Sequence, residues 1–298
     1  GWDDFKDVDL KGKVAVFLVN DPDFEAQAGD DAKGRFGDRR MTYYGRWTYK
    51  FEEAARRGAI AALIVHDTEG AGYPWSTVNA SNGENYDIVR AAGDNRVPLQ
   101  GWIAHDEADR LFIAGGLDLA KLRVAARSAG FRPVAFTSRF SASATVTAER
   151  IESANVIATI PGRTRPAESV MFAAHWDAYG EGPPAADGRT IRPGANDDAL
   201  GTAGVLELAR LFRAGPAPER TLVFALWTAE ERGLLGSEYY AVHPLRPHAT
   251  TVANLTLDVL LTAGPAKDVV LVGAGQSSLD GLLADAAKAQ GRTITPES

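Results

Sequence analysis

Five side chains that could bind a metal ion or move a proton stand shortly after apolar runs of the sequence. His175 and Asp177 follow the first run, Glu230 and Glu231 the second, and Asp258 the third. Nitrogen and oxygen ligands without sulfur suit zinc or another divalent transition metal. A carboxylate that is not needed as a ligand can serve as general base toward a water molecule. Together these residues indicate a hydrolytic metal site.

The three apolar runs are the elements that must bring these side chains together: Val170–Ala174, Thr221–Trp227 and Val252–Leu257. Near-continuous apolar runs of this length are typical of strands buried on both faces of a parallel sheet. In such sheets the ligand crevice lies beyond the carboxyl ends of the strands. We therefore expect the polar groups that leave the three strand ends to converge on one crevice.

Asp197 is a sixth candidate, because it stands in a turn just before a helical pattern. A carboxylate there could bridge two cations about 3.5–4 Å apart, as in two-metal hydrolytic sites. It could equally cap the helix, which is ordinary chemistry for Asn and Asp. On an extended segment residues two apart point to the same side, so Asp177 could accept the second ring N–H of His175. The Glu230–Glu231 pair also has a simpler interpretation, a solvated acidic turn.

The composition of the 298-residue chain excludes several classes of protein. The absence of Cys excludes disulfides, iron–sulfur clusters, zinc fingers and thiol catalysis. The formal net charge is -7 and no basic block stands out, so no nucleic-acid partner is expected. No run approaches the roughly 18 apolar residues of a membrane helix, so no membrane span is expected.

Residues 1–140 are predicted to form a small α/β domain. Its clearest elements are strands at Lys13–Val19 and Ala59–Val65 and a helix at Tyr49–Arg57. Val97–Ile103 is expected to be a short edge strand, because it contains a proline. Two further predictions are a strand at Lys121–Ala126 and a turn at Asn82–Gly83.

Residues 141–298 are predicted to form a second α/β domain, with a mostly parallel mixed sheet and helices on both faces. The basis is the alternation of strand and helix patterns along this part of the chain. Helices are expected at Ala199–Arg213, Ser237–Val242 and Leu279–Ala289, and a further strand at Asp268–Val272.

The first domain resembles the protease-associated domain, a small α/β module often inserted into secreted proteases. The resemblance is carried by DLKGKVAVFLVND, YKFEEAARRGAIAALIVHD and RVPLQGWI. An unrelated α/β subdomain remains the alternative. No catalytic constellation is visible in this domain.

The second domain resembles the di-zinc exopeptidases of metallopeptidase family 28, which include aminopeptidases and glutamate carboxypeptidases. The matching motifs are AAHWDAYG, GANDDALGTAGVLELAR, TLVFALWTAEERGLLGSEYY and ANLTLD. The resemblance implies a zinc exopeptidase fold, a peptide substrate and a periplasmic or secreted location. It favours an aminopeptidase with two zinc ions.

By that resemblance, His175 and Asp258 would bind one zinc, Asp197 would bridge both, and Glu231 would bind the second. The family's second zinc takes a further histidine near the C-terminus, whereas no histidine follows His248 here. We therefore expect the chain to be a fragment of a longer enzyme. The fragment is expected to bind at most one zinc tightly.

Glu230 would be the general base by the same resemblance, and Asp177 would orient the zinc-binding histidine. Two other functions stay open at this point. One is a non-catalytic binding protein on the same fold, as in transferrin-receptor-like relatives, which should have lost ligands or the base. The other is a carboxypeptidase or another amidohydrolase, such as a cyclising or deacylating enzyme.

Overall fold

The computed structural model describes residues 1–39, 41–79, 84–90, 96–185, 187–271, 274–275 and 277–296. The chain divides into two compact units. One comprises Gly1–Gly83, Ala91–Thr145 and Ala266–Ser298, and the other comprises Glu84–Arg90 and Val146–Pro265. The division into residues 1–140 and 141–298 remains a prediction, and the compact units depart from it at residues 84–90, 141–145 and 266–298.

The first unit is built on a three-stranded parallel sheet. Its elements up to residue 125 are β1 (Val14–Leu18), α1 (Trp47–Arg56), β2 (Ala61–Val65), α2 (Thr68–Ala71), α3 (Trp75–Val78), β3 (Leu99–Ile103), α4 (His105–Ala114) and α5 (Leu119–Ala125). The strand order is β1-β2-β3, and every residue of the central β2 is buried. Ile64 packs with Phe51 of α1, while Val65 packs with Phe112 of α4, so apolar clusters cover both faces of the sheet.

The structure confirms most predicted elements of this unit and corrects one. β3 is an edge strand, as predicted, and it begins directly after Pro98. The predicted strand at Lys121–Ala126 is wrong, because these residues lie largely in helix α5. The side chain of Asp118 caps this helix by accepting a hydrogen bond from the N–H of Lys121 at 3.0 Å, and Leu119 and Leu122 pack on one side of it. The Asn82–Gly83 turn lies outside the described residues.

The second unit is built on a four-stranded mixed sheet. Its elements are β4 (Val156–Ile160), β5 (Arg165–His175), β6 (Gly180–Glu181), β7 (Ile191–Arg192), α6 (Leu200–Ala214), β8 (Arg220–Trp227), α7 (Leu235–Val242) and β9 (Thr251–Thr256). The strand order is β4-β8-β5-β9, in which β8, β5 and β9 are parallel and β4 is antiparallel to β8. The three apolar runs of the sequence are therefore the three parallel strands, which confirms the predicted fold class.

Alternating side chains of β5 bury opposite faces of this sheet. Met171 and Ala173 belong to the same buried cluster as Tyr240 of α7. Ala174 instead belongs to the cluster of Val205 on α6. Because neighbouring residues of a strand point to opposite faces, α6 and α7 cover the two faces of the sheet.

The C-terminal part of the chain forms a small parallel pair of strands. Its elements are β10 (Asp268–Leu271), α8 (Leu279–Ala289) and β11 (Thr293–Pro296), with Asp268 opposite Thr293. The predicted strand and helix are both present here, although Val272 lies outside the described residues. Within the described part of the chain, every helix is too short or too polar to cross a membrane.

Candidate metal centre

The carboxyl end of β5, at the centre of the three parallel strands, places His175 among acidic side chains. The Nε2 atom of His175 lies 3.0 Å from Oδ1 of Asp197, 3.8 Å from Oε2 of Glu230 and 3.9 Å from Oδ1 of Asp258. One potential ligand atom from each of His175, Asp197 and Asp258 lies within 4.8 Å of the other two. Three protein ligands are enough for a metal site that keeps one position open.

The charges of this cluster fit a bound cation. Burial, followed by the neighbouring carboxylates, raises the pKa of Glu230 against the opposing effect of His175. Burial and then the negative charge of Asp197 raise the pKa of Asp258. Burial disfavours the charged form of His175, but the surrounding carboxylates, Glu230 first, outweigh it and raise the pKa of the ring. A divalent cation would relieve this crowding of like charges.

Hydrogen bonds hold His175 in a fixed orientation. Its Nδ1 atom lies 3.0 Å from the main-chain carbonyl oxygen of Asp177, which can only accept, so Nδ1 carries the hydrogen and Nε2 faces the cluster. Thr202 Oγ1 donates to the carbonyl of His175 at 2.8 Å. The sequence suggested the carboxylate of Asp177 as the partner of the ring, but that carboxylate lies 3.6 Å from Nδ1 and the closer contact is main-chain.

The carboxylate of Asp177 holds the turn that carries the two glutamates. Its Oδ1 accepts a hydrogen bond from the N–H of Glu230 at 3.0 Å, and its Oδ2 accepts one from the N–H of Glu231 at 3.2 Å. Asn155 fixes the same turn, since its side chain accepts from the N–H of Thr228 and donates to the carbonyl of Gly236. The glutamates are therefore positioned through their backbone, which leaves their carboxylates available.

Glu231 lies beside the three-residue group of His175, Asp197 and Asp258 rather than within it. Its Oε1 atom is buried and has no hydrogen-bond partner among the described residues. Burial first, and then the charges of Asp197 and Glu230, raise the pKa of Glu231 to about 7, although a hydrogen bond from Tyr179 acts in the opposite direction. A buried oxygen without a partner typically costs about 1–3 kcal/mol, which a metal ion bound there would offset.

Asp198 is a residue of this site that the sequence analysis did not single out. It is 1% exposed, its Oδ2 accepts from the N–H of His175 at 3.1 Å, and its Oδ1 accepts from the N–H of Gly201 at 3.0 Å. A Cβ atom on Gly201 would lie 2.2 Å from that Oδ1, so a glycine is needed there. Asp198 therefore supplies the capping contact for which Asp197 was the sequence-based candidate, and Asp197 stays free to face the histidine.

We expect Asp198→Ala to destabilise the metal-free protein. The change leaves two buried N–H donors unsatisfied, at a typical cost of about 1–3 kcal/mol each in the free energy of unfolding. Urea unfolding of the metal-free variant measures this loss. Glu207→Gln is a matched control, because Glu207 is exposed on α6 and pairs with Arg210, an arrangement worth about 0–1 kcal/mol. Equal stability of the two variants would show that Asp198 does not anchor this site.

Comparison with known proteins identifies the family of the part of the chain that contains this cluster. Residues 155–298 match the sequence model of peptidase family M28. This segment belongs to peptidase family M28. It contains every candidate site residue that the sequence analysis named: His175, Asp177, Asp197, Glu230, Glu231 and Asp258. The resemblance of residues 1–140 to the protease-associated domain remains a prediction.

Proteins similar to this chain include probable zinc metalloproteases and a vacuolar membrane protease. A probable zinc metalloprotease of Pyrenophora teres f. teres is 36% identical over 105 residues, which are 35% of this chain and 22% of that protein. One from Leptosphaeria maculans is 37% identical over 91 residues, 30% of this chain and 20% of that protein. A vacuolar membrane protease of Eremothecium gossypii is 32% identical over 104 residues, 35% of this chain and 9% of that protein. The matched part thus spans less than a quarter of these relatives.

Matches among solved structures are more distant in sequence. A peptidase M28 precursor from Shewanella amazonensis has a TM-score of 0.38 and 22% identity, covering 97% of this chain and 55% of that one. A Zn-dependent exopeptidase from Parabacteroides distasonis has a TM-score of 0.38 and 19% identity, covering 48% of this chain and 56% of that one.

Proposed function

We propose that this chain is part of a zinc-dependent exopeptidase that hydrolyses terminal peptide bonds, with an aminopeptidase as the leading form. The observation that carries the proposal is the meeting of His175, Asp197 and Asp258 within 4.8 Å, with the carboxylate of Glu230 beside them. Membership of the segment in peptidase family M28 supports it, as do relatives described as probable zinc metalloproteases.

The donor set fits zinc, because it consists of one imidazole nitrogen and several carboxylate oxygens. In this proposal His175, Asp197 and Asp258 hold one zinc, and Asp197 with Glu231 offers ligands to a second. The unpartnered buried oxygen of Glu231 supports its share in that second position. Bound zinc would supply a Lewis acid for the scissile carbonyl and lower the pKa of the attacking water.

Glu230 is the proposed general base. Its carboxylate faces the same cluster as the ligands but is not needed to complete the three-residue group. Burial raises the pKa of Glu230, which brings the group closer to the working range of a proton acceptor. Glu230 would take the proton of the attacking water and return it to the leaving amine, while Asp177 holds its backbone in place.

The proposed function is tested with the full-length protein and two sets of peptides. One set has a free amino terminus and a blocked carboxyl terminus, and the other has the reverse. We expect hydrolysis of the first set, loss of activity with a chelator and recovery when zinc is added back. Hydrolysis of the second set alone would indicate a carboxypeptidase. No hydrolysis of either set by the zinc-loaded protein would favour a non-catalytic binding protein. A peptide substrate and a periplasmic or secreted location are part of the same proposal.

A further inference from the structure

A cavity of about 340 Å³ opens beside the metal centre, in the loop between β5 and α6. Tyr179 and Asp197 line it together with residues of the β6–β7 hairpin. Both residues also belong to the metal centre, since Tyr179 donates a hydrogen bond to Glu231 and Asp197 contacts His175. The cavity therefore begins where the scissile bond would lie, and its volume is at the lower end of the range of ligand pockets.

Arg192 contributes a positive charge to the wall of this cavity. It pairs with Gly180 across the hairpin, and its Nη2 donates to the carbonyl of Pro183 at 3.3 Å. A Cβ atom on Gly182 would lie 2.4 Å from Nη1, so the guanidinium lies directly against the backbone of the hairpin. Arg192 is exposed, and this contact uses one of its five N–H donors.

No carboxylate of the described chain forms an ion pair with Arg192. The other arginine of the cavity, Arg189, already binds Asp187, with its Nε 2.6 Å from Oδ2. Glu181, on the opposite strand of the hairpin, is exposed and lies opposite Ile191. Among the described residues, Arg192 is therefore the arginine of this cavity wall that has no carboxylate partner.

We propose that this cavity binds a carboxylate of the substrate through Arg192, so that the enzyme prefers peptides with a negative charge close to the scissile bond. The proposal rests on the proposed exopeptidase function. A guanidinium binds carboxylates with two parallel hydrogen bonds, which a neutral amide does not match. The carboxylate is either the free C-terminus of a dipeptide or the side chain of an acidic residue, since both present the same group.

Four dipeptides distinguish these sources: Ala-Glu, Ala-Gln and the C-terminal amide of each. For the zinc-loaded full-length protein, we expect kcat/KM to be about 10–100-fold higher for a peptide with the recognised carboxylate than for its neutral counterpart. This factor corresponds to the usual contribution of a hydrogen bond to a charged group. A preference for Ala-Gln over its amide identifies the C-terminal carboxylate. A preference for Ala-Glu amide over Ala-Gln amide identifies the side chain.

Two variants assign the preference to Arg192. Arg192→Gln should remove it mainly through KM, and Arg192→Lys should restore part of it. Arg189→Gln also removes one positive charge from this loop. Because Arg189 already pairs with Asp187, the preference should persist in this variant. Equal kcat/KM for all four peptides, or the same loss in both Gln variants, would overturn the proposal.

Binding gives a readout that does not depend on turnover. The zinc-loaded Glu230→Gln protein should bind the carboxylate-bearing dipeptide more tightly than its neutral counterpart by calorimetric titration, and adding Arg192→Gln should abolish the difference. If the wild-type protein hydrolyses no peptide but this binding difference is present, the proposed function fails while the carboxylate site stands. If the protein hydrolyses peptides but shows no preference in binding or in kcat/KM, the proposed function stands and the carboxylate site is refuted.

Discussion

Replacing Glu230 by Gln is expected to lower peptide hydrolysis by about 10²–10⁴-fold, the usual range for loss of a general base. Glutamine keeps the size of the side chain but cannot accept the proton of the attacking water. The backbone N–H of residue 230 still reaches Asp177, so the turn should keep its shape. Steady-state kinetics measure the loss, and metal analysis should give the same zinc content as in the wild-type protein.

Glu219→Gln is the control for this variant, because Glu219 is exposed and pairs with Arg165 at the surface. Its kcat should equal the wild-type value. Near-normal turnover of zinc-loaded Glu230→Gln would show that another group accepts the proton. Loss of zinc together with activity would instead make Glu230 a ligand.

In the full-length protein, replacing Asp197 by Ala is expected to lower the affinity for both zinc ions. The loss should exceed the roughly 10–100-fold decrease in metal affinity that follows when a hydrogen-bond partner of a ligand is removed. Asp197 lies 3.0 Å from His175 in the three-residue group, and its charge also acts on Glu231. Glu231→Ala should weaken only the second position, because Glu231 is not part of that group. Titration with zinc and metal analysis after dialysis separate the two variants.

Asp187→Ala is a matched control, since Asp187 lies in the same loop, is exposed and binds Arg189. Its zinc content should not change. Two tightly bound zinc ions in Asp197→Ala would refute the bridging role of this carboxylate.

The elements that position the site could be predicted because their signal is local. Apolar runs such as Thr221–Trp227 form parallel strands, and β5 lies between β8 and β9. That order places His175 between the strand ends that carry Glu230 and Asp258, as the convergence of strand ends in a parallel sheet requires. The misassigned helix α5 shows the limit of such patterns. Six residues rich in apolar side chains are compatible with either a strand or a helix. Here the cap from Asp118 and the packing of Leu119 and Leu122 favour the helix.

The finer parts of the site depend on the course of the backbone and could not be predicted from residue types. Asp197 and Asp198 are identical neighbours, yet one faces the histidine and the other is buried under the start of α6. The backbone dihedral angles of the turn decide which of the two carboxylates faces the histidine and which is buried. Tyr179 and Arg192 line the same cavity as Asp197 because the intervening loop folds back as a hairpin, for which the sequence offered only a run of Gly and Pro.

Anomalous diffraction at the zinc edge, from crystals of the zinc-loaded protein, is the most direct test of the central claim that this cluster is a metal centre. We expect a strong peak within bonding distance of Nε2 of His175 and of carboxylate oxygens of Asp197 and Asp258, at the roughly 2.0–2.2 Å typical of zinc with these ligands. A second peak, where it occurs, should lie between Asp197 and Glu231. Zinc bound only at residues outside this set, or no ordered zinc at saturating concentration, would contradict a metal centre at this cluster.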